Sequence, residues 1–138
     1  MRALIALDWS EQAFAAVREV SYLYDLHEVI LVHGIDLGMF QYPIVAEVSN
    51  MQGYDDFRKA MGKAGEQLLD HTSTLLPSEG LSITRVCEFG KPASLILDKA
   101  RETHADLIVI GARGRGRVGE LVLGSVSHRV ALHADCTT

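Results

Sequence analysis

The chain has 138 residues, 48% of them hydrophobic and 22% charged, with a formal net charge of −5. That is enough for one domain with a sizeable core, and too apolar for a disordered chain. The acid surplus argues against a general nucleic-acid binder, and no apolar run approaches the length of a membrane span.

Residues 3–7 read as a continuous apolar strand stopped by Asp8. The run is too short for a secretory leader. Ser10 is placed to cap the helix that follows, with Trp9 at N′ and Phe14 at N4 in the spacing of a hydrophobic staple. Phe14, Val17 and Tyr24 fall on one face of that helix, with Ala13 and Val20 beside them. Residues 29–33 form a second apolar strand. Residues 36–50, with Gly38 and Pro43, make a connection long enough to be expected to be either functional or mobile.

Phe57, Met61, Ala64, Leu68 and Leu75 mark a long amphipathic helix ending before Pro77. Gly62 and Gly65 inside it each cost about 1 kcal/mol against Ala, which close packing would explain. Residues 81–89 alternate, and Arg85 breaks the apolar side, as in an edge strand solvated on one face. Pro92 suits the first turn of a helix whose inner stripe is Ile96, Ala100 and Thr103. Residues 106–110 are a fourth strand and residues 126–133 a last helix. Cys87 and Cys136 match no metal spacing, and are expected to stay reduced in the cytoplasm.

This alternation implies one α/β domain over residues 1–138, with a parallel sheet and helices on both faces. The strands at 3–7 and 106–110 are apolar throughout and read as central neighbours. In such sheets ligands bind beyond the carboxyl ends of the strands where strand order reverses, which puts Asp8 and Gly111 at one crevice.

The last strand runs into Gly111-Ala112-Arg113-Gly114, then nine residues, then Gly124-Ser125 before the final helix. Strand, glycine-rich stretch and helix N-terminus form an arrangement that binds phosphate. Glycines let backbone N–H groups approach an anion, and the first helical turn offers unpaired donors and a positive dipole end. Ser125 adds a hydroxyl. Arg113, Arg115 and Arg117 precede any acid up to Glu120, so local charge opposes that of the chain.

Together these segments resemble the universal stress protein family, in its nucleotide-binding branch. Gly111, Gly114, Gly124 and Ser125 meet the pattern G-x2-G-x9-G-[ST] without a gap. Leu4-Ile5-Ala6-Leu7-Asp8-Trp9-Ser10, Leu31-Val32-His33-Gly34-Ile35-Asp36, Gly90-Lys91-Pro92-Ala93 and Ala105-Asp106-Leu107-Ile108-Val109-Ile110 support it over nearly the whole chain. The resemblance implies a Rossmann-like, doubly wound parallel sheet with strand order 3-2-1-4, the usual fifth strand missing. It implies ATP, or AMP or ADP, bound across the carboxyl ends of the central strands. Leu7 and Asp8 would sit near adenine and ribose, and Gly34 and Ile35 would offer backbone contacts to adenine. Gly111, Arg113 and Gly114 would line the ribose and α-phosphate. Gly124, Ser125 and Val126 would hold the phosphates, with Mg2+ or Mn2+ bridging them. Trp9 is bulkier than the family's usual residue there and would narrow the adenine slot.

Other readings stand beside this one. Gly114-Arg115-Gly116-Arg117-Val118-Gly119 spells a dinucleotide fingerprint, but too little chain follows to supply the second half of such a fold. Asp8 could simply end its strand and cap a turn, and Ser125 could be a helix N-cap. The histidines form no ligand set, since His128 and His133 are not on one helix face. His33 alone lies near the crevice. No general base, nucleophile elbow or protein metal site is legible. The expected function is therefore nucleotide sensing in a stress response, read by an unidentified protein partner. A slow ATPase or nucleotidyl-transfer enzyme and an interaction module with an empty site are the alternatives. With no fifth strand, residues 106–110 would present an apolar sheet edge. A homodimer covering that edge is expected, unless the natural chain is longer.

Overall fold

A computed structural model describes residues 1–39, 51–112 and 123–138. The described elements run β1 (Arg2–Ala6), α1 (Glu11–Leu23), β2 (Glu28–Ile35), a 3-10 turn (Leu37–Met39), α2 (Met51–Ser73), β3 (Ser82–Phe89), α3 (Pro92–Glu102), β4 (Leu107–Val109) and α4 (Ser125–His133). The strands form one parallel sheet in the order β3-β2-β1-β4, as expected. β1 pairs with β4 through Ala3↔Leu107, Leu4↔Ile108 and Ile5↔Val109, so the reversal of strand order falls between them.

Alternation along the strands divides the core. Ala3, Ile5 and Leu7 of the first strand segment, with Val29 and Leu31 of β2, pack against Val17 of α1 and Leu68 of α2. Leu4, Ala6, Ile30 and Val32 face the other way, onto Ile96 and Leu97 of α3 and Val130 of α4. Each face of a central strand is thus covered, which is why β1 reads as an unbroken apolar run. β3 lies at the sheet edge, and most of its residues keep solvent contact.

Local signals placed several termini correctly. Ser10 is the N-cap of α1, its Oγ accepting from Ala13 N–H at 3.2 Å. Pro92 opens α3, entered by a turn at Gly90, whose φ of +150° is one L side chains rarely adopt. Other expectations need correction. Tyr24 is not on the inner face of α1. The helix ends at Leu23, and Tyr24 is exposed as its C-cap. The staple does not account for Phe14, whose ring meets His71 of α2 edge-on at 5.9 Å, while Trp9 stays 42% exposed. α2 stops at Ser73, so Leu75 packs on the core from beyond the helix.

The outer edge of β4 is also not left bare. Thr137 bridges Leu107 in parallel register, and its carbonyl accepts from Ile108 N–H at 2.8 Å. Residues near the described C-terminus therefore lie along the position where a fifth strand was expected to be missing.

Candidate functional site

Continuing the β1–β4 register by two residues sets Leu7 level with Gly111 at the carboxyl pole of the sheet. Leu7 is buried, and its N–H donates to Val32 O at 2.8 Å. Its carbonyl accepts from His33 Nδ1 at 2.8 Å. A carbonyl only accepts, so this bond puts the proton on Nδ1 of His33.

Asp8 follows, half-buried. One carboxylate oxygen accepts from the Ser10 N–H at 2.9 Å and from the Ser10 hydroxyl. Asp8 thus fixes the turn into α1, the structural role weighed for it. Its second oxygen makes no hydrogen bond to the described residues. Both roles fit one side chain.

On the other side of the switch point, Gly111 and Ala112 leave β4, and Gly124 returns beside them. Gly124 N–H donates to Ala112 O at 2.7 Å, and the buried Ser127 hydroxyl lies 2.8 Å from the same oxygen. Gly124, not Ser125, is the N-cap of α4. Ser125 is the first helical residue, exposed, and its hydroxyl makes no hydrogen bond to the described residues. The first i→i−4 bond of α4 comes from His128 N–H to Gly124 O, at 2.8 Å. The N–H groups of Ser125, Val126 and Ser127 precede it, and they are the donors that a helix start leaves without an intrahelical partner. Val126 turns its side chain onto the core. Arg113 and Gly114, with Arg115, Arg117 and Glu120, lie outside the described residues, as does Pro43.

Gly34 and Ile35 sit at the end of β2, one strand away, and answer first to packing. A Cβ on Gly34 would stand 3.1 Å from Pro92 Cα and 3.3 Å from Leu95 of α3. The carbonyl of Ile35 accepts from Gly90 N–H at 2.9 Å, which ties the end of β2 to the turn before α3. The glycine at 34 is explained by the seat of α3.

Both cysteines are free. Burial pushes the Cys87 thiol up, helped by Glu66 and Glu88, and burial does the same for Cys136, helped by Asp135 and Asp106. Neither therefore has the heightened acidity of a reactive thiol. Among the described residues no three His, Cys, Asp or Glu side chains group as a metal site, and no helix is long and apolar enough to cross a membrane. Sequence reasoning passed over Ser127. The only hint was a second serine two places after Ser125.

A parallel sheet in the order 3-2-1-4, with a strand, a glycine-bearing stretch and a helix start at its switch point, defines an α/β protein of the doubly wound class. The family model for the universal stress protein family matches residues 1–138, and the chain belongs to that family. Universal stress protein YxiE of Bacillus subtilis (strain 168) is 34% identical over 82 residues, covering 59% of this chain and 55% of that protein. The match thus spans little more than half the length of that relative. Among solved structures, hypothetical protein MJ0577 superposes with a TM-score of 0.81 at 22% identity, over 99% of this chain and 91% of that one. A universal stress protein family protein of Arabidopsis thaliana, solved with AMP bound, superposes with a TM-score of 0.65 at 20% identity, over 99% of this chain and 88% of that one.

Proposed function

We propose that this chain binds ATP, or ADP or AMP in its place, at the carboxyl ends of β1 and β4, and works as a cytoplasmic nucleotide-sensing module. The observation that carries this reading is the tie between Ala112 and Gly124. It holds the open N–H groups of α4 and the exposed Ser125 hydroxyl next to the strand end beside Asp8. Groups so placed donate to phosphate oxygens without rearrangement, and the helix dipole adds favourable potential. The free oxygen of Asp8 is suited to a ribose hydroxyl. Arg113 and Gly114 belong to the proposed phosphate end by sequence, and Mg2+ or Mn2+ would ride on the phosphates. The AMP in the Arabidopsis thaliana structure is consistent with a fold able to hold an adenine nucleotide.

The residues described at this site hold and orient. None is placed as a general base, and the engaged oxygen of Asp8 is tied to Ser10. Any hydrolysis is therefore expected to be slow, with a turnover below roughly 1 per second. The direct test of binding is to denature purified protein and look for a released adenine absorbance. Protein that carries none, and takes up none when offered ATP, ADP or AMP, would end this reading.

The assembly we propose is a homodimer formed along the sheet edge beyond β4, where the segment around Thr137 has a single bridge to β4. Unpaired strand groups on such an edge favour pairing with a second copy. Light scattering is expected to give the mass of a dimer. A stable monomer at high concentration would refute it.

A further inference from the structure

We infer that Ser127 is a positioning residue for phosphate binding: its buried hydroxyl holds the carboxyl end of β4 and the start of α4 in one fixed juncture. The inference rests on the nucleotide reading above and deepens it. Ser127 is 4% exposed, whereas its neighbour Ser125 is exposed. Its Oγ stands 2.8 Å from Ala112 O and 3.0 Å from Gly124 O. The longer contact is where a helix-local back-bond would form, but the hydroxyl carries one proton and the shorter contact takes it. The shorter one crosses to the other end of the glycine stretch, and local helix geometry does not supply it.

Ala112 O also accepts from Gly124 N–H at 2.7 Å. Both lone pairs of that carbonyl are then engaged from the α4 side, one by backbone and one by Ser127. Two bonds fix orientation where one would leave a pivot. The pivot matters because the donors proposed for phosphate, the N–H groups of Ser125 and Val126, lie between Gly124 and Ser127. A small rotation of the helix start would move them off the anion while leaving β1, β2 and the rest of the sheet in place. Ser127 is thus not a contact residue. It acts on phosphate through the backbone it holds.

The test compares two ligands and one amide. In Ser127→Ala, ATP affinity is expected to fall roughly five- to tenfold, the worth of one net hydrogen bond. Adenosine, which carries no phosphate, is expected to bind as tightly as before. Hydrogen exchange at the Gly124 amide is expected to quicken, because its bond to Ala112 loses its companion. Ser127→Cys, which keeps the volume but offers a weaker donor, gives the same comparison with the space filled. Unchanged ATP affinity in a folded variant, or an equal loss for ATP and adenosine, would overturn the inference. If the unaltered chain bound neither ligand, the nucleotide reading itself would fall. The Gly124 amide would then decide alone: unchanged exchange refutes the juncture, and faster exchange upholds it.

Discussion

With ATP held at about 100 times its dissociation constant, the chain is expected to gain about 2.7 kcal/mol of stability, since a ligand specific to the folded state stabilises by mass action. For a domain of this size, with an unfolding entropy of roughly 0.3 kcal/mol/K, that raises the melting midpoint by about 9 °C. Gly124→Val is expected to abolish the rise. Gly124 has φ −60° and ψ 158°, an extended conformation that valine adopts without strain. The unliganded fold should therefore lose only a capping preference, about 1 kcal/mol or less. The branched side chain would nevertheless stand beside the N–H groups of Ser125 and Val126 and keep a phosphate away. Differential scanning of both proteins with ATP, ADP and AMP, with and without magnesium, checks this. A midpoint that no nucleotide moves in the parent chain contradicts the proposed function. A shift retained in Gly124→Val would instead move the phosphate site away from the start of α4.

Gly65→Ala is expected to destabilise the fold by about 1–3 kcal/mol, the usual cost of forcing an atom into a packed interior. An added Cβ would stand 2.6 Å from Cys87 Sγ, 2.9 Å from His33 Cδ2 and 3.4 Å from Ile35 Cδ1. Cys87 can turn, but the His33 ring is held by its bond to Leu7 O, so yielding there disturbs the carboxyl pole. The gain from removing a helical glycine, about 1 kcal/mol, does not offset this. Gly62, one turn earlier, is the internal comparison. Its added Cβ would meet only Phe89, at 3.7 Å, an ordinary contact. Gly62→Ala is therefore expected to stabilise by about 1 kcal/mol. Urea midpoints of the two variants should move in opposite directions. Cys87→Ala in the Gly65→Ala background should recover part of the loss, because the two sites share one contact. A stabilising Gly65→Ala would mean that α2 stands farther from Cys87 and His33 than close packing requires.

These two glycines show where the sequence stops being informative. Both read as costs inside an amphipathic helix, and nothing local separates them. Gly65 is required because Cys87 and His33, from two other strands, meet it. Gly34 is similar: Pro92 of α3, distant in sequence, gives a packing reason for the small residue that nothing local reveals. The same limit governs the site. Asp8 and Gly111 could be brought together from apolar patterning and the switch-point rule, because burial on both faces marks a central strand. The tie from Ser127 to Ala112 spans residues no period or propensity connects.

The sequence by itself determined the class of fold, the two central strands and the pole that carries the candidate site, and the full strand order was what the family resemblance implied. Continuous apolar runs specify buried parallel strands, Ser10 and Pro92 specify helix starts, and Arg85 marks the edge at β3. These are local consequences of burial and backbone chemistry. Only the tertiary structure decided that β2 runs on to Ile35, where Phe89 of β3 supplies its partner. It likewise decided that Thr137 lies along β4, that Ser125 is left open while Gly124 caps, and that Ser127 closes the juncture. Each depends on where a group distant in sequence comes to rest, and such pairings are fixed by packing of whole elements rather than by the residues beside them.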